Sequence, residues 1–161
     1  MKKFLLAFAM LMLLGSAAKA ESLKSMIGSQ HFTFVAYRIN SSLTSEDPRF
    51  ASLNELRYSM DITKKWLNCK FPFVGKVYRS AMNDQHIEID TGKFTYEYKE
   101  VKRRKSTDIV IKITARSLDD IDKYTMTLVV GESGDATLTV SSNYRETVSY
   151  QGKIIPLKLY R

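Results

Sequence analysis

The sequence predicts an all-β protein: an antiparallel meander of about eight or nine strands that closes on itself as a barrel or packs as a sandwich. Apolar and polar residues alternate with period two through nearly the whole of residues 21–161, the signature of strands with one buried face. Turn-forming clusters such as Asn83-Asp84-Gln85, Thr91-Gly92 and Gly131-Glu132-Ser133-Gly134 separate the runs. No amphipathic stretch is long enough to make a helix that would cover a sheet.

Phe32, Phe34 and Ala36 mark one face of the first strand. A polar loop from Ser41 to Asn54, containing Asp47-Pro48, leads to the clearest alternation in the chain. There Leu56, Tyr58, Met60 and Ile62 share one side, and Glu55, Arg57, Ser59 and Asp61 the other. Between Thr63 and Gly75 the pattern breaks, as Trp66, Leu67, Phe71, Phe73 and Val74 crowd around Pro72 and Gly75. A central strand does not tolerate proline, so this stretch is expected to be an irregular or one-turn helical cap on the core. A strand is expected from Lys76 to Met82, and a short one through Ile87 and Ile89.

The next strand places Phe94, Tyr96 and Tyr98 on one face, with rings expected to fill a barrel interior or its rim. Its far end is the basic run Lys102-Arg103-Arg104-Lys105, a solvated hairpin tip and a surface basic patch suited to an anionic surface. Ile109, Ile111 and Ile113 follow, then a turn through Asp119-Asp120 and a strand with Tyr124, Met126, Leu128 and Val130. The Gly131–Gly134 hairpin loop joins it to Ala136, Leu138 and Val140. A last strand is expected from Val148 to Ile154, with a tail through Pro156 to Arg161.

The first residues carry a different pattern. Lys2 and Lys3 precede an apolar run from Phe4 to Leu14, and Ala18-Lys19-Ala20 forms an A-x-A site, together the features of a secretory signal peptide cleaved after Ala20. The run is too short to span a bilayer, which takes about 20 residues. The only cysteine is Cys69, so neither a lipid anchor after the apolar run nor an internal disulfide is expected. Cys69 reads as a small buried hydrophobe. The expected layout is a signal peptide at 1–20 and one all-β domain at 21–161, located in the periplasm or secreted. The formal charge of +8 falls to +5 without Lys2, Lys3 and Lys19, which favours contact with anionic surfaces, whereas nucleic acid is not an expected partner outside the cell.

Candidates for chemistry are few. His86 and Glu88 share a strand face and could bridge a metal with Asp84 or Asp90, but two ligands make a partial site, and His31 has no partner at ligand spacing. Asp119-Asp120-Ile121-Asp122 lacks the glycine and distal glutamate of a calcium loop and reads as a solvated turn. No serine lies in a nucleophile elbow, and no catalytic residues, metal or cofactor are expected.

Three blocks carry a family resemblance: Phe32-Thr33-Phe34-Val35-Ala36, Phe71-Pro72-Phe73-Val74-Gly75-Lys76-Val77-Tyr78, and the run from Asn143 to Gly152. In order and spacing they resemble domain-of-unknown-function family 4251, over essentially the whole mature chain. The middle block is similar to that family's Leu-Pro-Tyr-Phe-Gly-Arg-Ala-Tyr signature and the last to its Asn-Arg-Gln-Pro-Ile-Ser-Tyr-x-Gly signature. This chain carries Lys76 for the arginine, Val77 for the alanine, Glu146 for the glutamine and Thr147 for the proline. The resemblance implies a secreted protein of a Gram-negative anaerobe and brings no activity with it.

A non-enzymatic cell-envelope binding role follows, with a pocket for a small lipid-like or glycan-like ligand and with Phe73, Gly75, Lys76, Tyr78, Arg145 and Tyr150 as its candidate residues. Pro72 fixes the backbone there, Gly75 permits close approach, and Lys76 and Tyr78 offer a cation and a phenol at strand spacing. The alternative is an envelope component that joins a protein partner through its basic hairpin or a strand edge. A sizeable cavity would favour the first reading, and a filled interior with an open edge or an exposed apolar patch the second.

Overall fold

The computed structural model describes residues 22–40, 53, 58–78, 85–104, 106–117 and 120–157. The expected signal segment, most of the 41–57 stretch, Lys105 and residues 158–161 lie outside the described residues. Among the described residues nine strands form one antiparallel sheet: β1 (Phe32–Asn40), β2 (Ser59–Ile62), β3 (Leu67–Pro72), β4 (His86–Thr91), β5 (Phe94–Lys102), β6 (Thr107–Arg116), β7 (Lys123–Val130), β8 (Asp135–Ser141) and β9 (Val148–Pro156). Their order is β4-β3-β2-β1-β9-β8-β7-β6-β5, and the sheet curls into a half-barrel. One sheet, not two stacked ones, decides between the barrel and the sandwich.

Inward positions alternate as the pleat requires and make one apolar cluster, with Phe32, Phe34, Phe71, Tyr124 and Tyr150 fully buried inside it. Sequence neighbours pair except β4 with β5, and β1 pairs with β9 as well, from Phe32 opposite Pro156 to Asn40 opposite Ser149. This pairing holds the two halves of the meander together. Within it β1 carries a bulge: Ala36 faces Gly152, Arg38 faces Gln151, and Tyr37 is the extra residue. The bulge pushes β1 onto β9 so closely that a Cβ at Gly152 would run into the Val35 carbonyl and stand 2.6 Å from the Phe34 ring.

A short helix, α1, spans 22–28. Leu23 and Ile27 are buried and Met26 half-buried, the i, i+3, i+4 stripe of an amphipathic turn. Gln30, at φ 52°, takes the left-handed conformation that ends it, and the His31 amide closes onto the Met26 carbonyl at 3.0 Å. The helix docks on β5, where the Tyr96 hydroxyl donates to the Ile27 carbonyl at 3.0 Å and Lys24 pairs with Glu100.

Two expected elements are corrected. The stretch from Thr63 to Gly75 is not an irregular cap: residues 67–72 form β3, with Leu67, Cys69 and Phe71 buried and Asn68 and Lys70 exposed. Pro72 is its last residue, opposite His86, where a missing N–H costs the ladder little. The expected strand from Lys76 to Met82 is reduced, in its described part, to a single bridge between Val77 and Arg145. Residues 79–82 lie outside the described residues.

Candidate functional site

β3 and β9 deliver two segments to one end of the barrel, and there they zip together. The Lys76 amide donates to Glu146 Oε2 at 3.0 Å, the Glu146 amide to the Lys76 carbonyl at 2.8 Å, and the Tyr78 amide to the Tyr144 carbonyl at 2.7 Å. Gly75 makes room for this, since a Cβ there would stand 3.0 Å from the Phe73 ring and 3.2 Å from Glu146 Oε2. Glu146 acts here as a hydrogen-bond acceptor, a role that a glutamine carbonyl oxygen can also fill.

Beneath the zip lies an ion pair. Arg145 Nε reaches Asp122 Oδ2 at 3.3 Å, and the two side chains are only 5% and 4% exposed. The guanidinium also sits 5.1 Å over the Phe73 ring. The Ser142 hydroxyl donates to Asp122 Oδ2 at 3.2 Å and accepts the Tyr144 and Arg145 amides at 3.1 Å each. Asp122 in turn is anchored by its own backbone, its amide donating to Ser117 Oγ at 2.9 Å. The β6–β7 turn, the β8–β9 loop and the segment after β3 are thus tied to one buried charge pair.

Tyr150 completes the floor. Its ring stacks on Phe71 with centroids 4.7 Å apart, and its hydroxyl donates to the Pro72 carbonyl at 2.8 Å. Burial pushes the Tyr150 phenol well above its usual range, with the Cys69 and Tyr124 groups nearby adding to the effect and Arg145 opposing it. Burial likewise pushes the Cys69 thiol from 9.0 up to about 12, so the one cysteine is an inert neutral thiol inside the barrel.

The structure therefore brings Phe73, Gly75, Lys76, Tyr78, Arg145 and Tyr150 to one place, in two layers. Phe73, Arg145 and Tyr150 are buried and shape the loops; Lys76 and Tyr78 are exposed, the tyrosine by 66% of its surface. Ile121, adjacent to the buried Asp122, adds a further exposed apolar side chain at this end. The basic tip lies at the opposite end, where Lys102, Arg103 and Arg104 are exposed and Arg103 pairs with Asp108. The Thr107 amide fixes that tip beside the β7–β8 turn by donating to Glu132 Oε1 at 2.8 Å.

The metal and calcium alternatives find other occupations. Glu88 is held by Lys70 at 2.7 Å, Asp90 accepts the Trp66 indole N–H, and Asp122 belongs to the buried ion pair. Among the described residues no three His, Cys, Asp or Glu side chains converge. Among the described residues, hollows of about 270 Å³ beside Tyr37, Val129 and Gln151 and of about 120 Å³ between Leu23 and Ile109 lie away from the zip. No described helix is long and apolar enough to cross a membrane.

One exposed feature was not expected. Phe94, Tyr96 and Tyr98 do share the inner face of β5, but Tyr98 is 50% exposed, and Trp66 stands half-exposed against the Gly92 corner that precedes β5. Period-two spacing assigns a face; it does not say whether anything covers that face. The edge position of β5 is what leaves it open.

No curated protein matches the chain. The family described as Domain of unknown function (DUF4251) matches it over residues 15–154, a span holding all three sequence blocks, and the chain belongs to that family.

Proposed function

We propose that the protein is an exported, non-enzymatic binding module of the cell envelope that contacts a glycan-like ligand with the loop end carrying Lys76 and Tyr78. The observation that carries this reading is an exposed aromatic ring and a cation mounted on a locked base. Tyr78 and Lys76 project from a segment held to β8–β9 loop residues by two backbone hydrogen bonds and one to the Glu146 carboxylate, above a buried ion pair. Preorganisation of this kind lowers the entropic cost of binding, and a tyrosine offers a flat face to a sugar ring with a hydroxyl at its rim. An enclosed lipid pocket is the weaker form of the proposal, because Phe32, Phe34, Phe71, Tyr124 and Tyr150 occupy the interior. The signal-like segment at residues 1–20 supports export.

The test is co-sedimentation of the mature protein with isolated peptidoglycan sacculi and, separately, with lipopolysaccharide, comparing wild type with Tyr78→Ala and Lys76→Ala. Loss of the ring is expected to weaken binding about tenfold, equivalent to about 1.4 kcal/mol. Binding that ignores both substitutions, or its absence with both glycans, would overturn the glycan reading. In the latter case, photo-crosslinking from position 78 that captured an envelope protein would favour a protein partner. Export is tested by fractionation and by N-terminal sequencing, with Glu21 the expected first residue.

A further inference from the structure

β5 is an edge strand whose strand neighbour among the described residues is β6 alone. β4, two residues earlier in the chain, comes up against β6 instead of pairing with β5. β5 therefore keeps one edge without a strand partner among the described residues, and four consecutive residues, Glu97, Tyr98, Lys99 and Glu100, are exposed although they alternate between its two faces. The helix packs on the inner face of β5, at Tyr96, Glu100 and the Tyr98 hydroxyl, and leaves Glu97 and Lys99 of the outer face exposed.

Charges on an edge strand ordinarily prevent sheet-to-sheet association. The charges of β5 have an additional property, which is that they complement themselves. The strand runs from Phe94 to Lys102, so Tyr98 is its middle residue. Two copies laid antiparallel about a two-fold axis at Tyr98 pair over all nine residues. On the outer face Glu97 then opposes Lys99 of the second copy, and Lys99 opposes its Glu97. On the inner face the two half-exposed Tyr98 rings meet at the axis, Tyr96 opposes Glu100, and Phe94 opposes Lys102. Directly opposed pairs of opposite charge stabilise a ladder and like charges destabilise it. Moving the axis by one residue, to Glu97 or to Lys99, sets like charges against each other at the axis itself. One register is thus selected, and it is the one that uses the full strand.

We infer that β5 is a homodimerisation edge, to which a second copy of this chain adds antiparallel about Tyr98 so that the sheet continues across both molecules. This surface is separate from the loop end bearing Tyr78, and the inference stands without any ligand there.

Sedimentation velocity on the mature protein tests it, with far-UV circular dichroism confirming the fold of each variant. Wild type is expected to show a concentration-dependent monomer–dimer equilibrium in the micromolar range typical of small interfaces. Glu97→Lys alone and Lys99→Glu alone each place like charges opposite one another in both halves of the homodimer, and each is expected to weaken self-association at least tenfold. Mixed in equal amounts, the two variants are complementary again and should form a heterodimer. The double variant Glu97→Lys/Lys99→Glu should self-associate like wild type. Wild type that stays monomeric would overturn the inference, as would single variants that dimerise as tightly as wild type or a mixture that stays monomeric.

Discussion

Replacing Arg145 with methionine probes how the loop end is held. The substitution keeps much of the aliphatic volume over Phe73 but leaves the Asp122 carboxylate buried, with the Ser142 hydroxyl as the partner it retains. Breaking one side of a buried ion pair costs about 3–5 kcal/mol, because the remaining charge stays desolvated. Loss of the guanidinium from the Phe73 face adds up to about 1 kcal/mol. With a urea m-value of about 2 kcal/mol/M for a domain of this size, a loss of about 4 kcal/mol lowers the unfolding midpoint by about 2 M. The double variant Asp122→Leu/Arg145→Met removes both charges together and should cost only about 1 kcal/mol, giving a coupling of about 5 kcal/mol or more in the cycle. Equilibrium urea unfolding of the four proteins measures it. A single-variant cost below about 1 kcal/mol, or costs that simply add, would refute the idea that this pair holds the three segments together.

Gly152→Ala should cost about 3 kcal/mol or more, because the new methyl group meets the Val35 backbone and cannot be relieved by a rotamer change, so a neutral urea midpoint would show that β1 can shift at its bulge. Tyr150→Phe keeps the stack on Phe71 but abandons the Pro72 carbonyl, for a loss of about 1 kcal/mol in the same assay. In alkali the sign follows from burial: the Cys69 thiol titrates near 9.0 unfolded and about 12 folded, so its stabilising contribution is complete below pH 9 and is lost as the pH rises toward 12. The raised Tyr150 phenol acts in the same direction. Urea midpoints should therefore fall between pH 9 and 12, by up to about 1.4 kcal/mol per pH unit from the thiol, and Cys69→Ala should flatten that fall.

Most strands could be read from the sequence because a half-buried strand writes its burial into every second residue, as in Ile109-x-Ile111-x-Ile113 or Tyr124-x-Met126-x-Leu128. β3 carries the same alternation in Leu67, Cys69 and Phe71, yet Pro72 and the neighbouring aromatics argued against a strand. The proline's terminal position, which resolves the conflict, is a fact of pairing with His86. The helix at 22–28 offered only Leu23, Met26 and Ile27, too few positions to separate 3.6 from 2 as a period. At the candidate site, the sequence singled out Phe73 to Tyr78 and Arg145 to Tyr150, but the link through Asp122 was hidden. An aspartate in the Asp119–Asp122 turn reads as solvated until a distant arginine is seen to bury itself beside it. The division into buried supports and exposed Lys76 and Tyr78 had no linear signal either, since it depends on which side of the zip each side chain leaves.

The pairing of β1 with β9 has a kinetic side. Hairpins such as β5–β6 and β7–β8 bring together residues close in sequence and can form within microseconds. Phe32 finds Pro156 only after nearly the whole described chain has been gathered, and that search carries the largest loop-closure entropy in the molecule. Until then β1 has β2 as its one strand partner, and its Phe34 ring lacks the bare backbone of Gly152 against which it packs. Folding of this topology belongs to the millisecond-to-second class of long-range β pairing. The joint that unites the two halves of the meander is thus the most distant pairing among the described strands, and a chain interrupted before β9 would hold two groups of hairpins with nothing to join them.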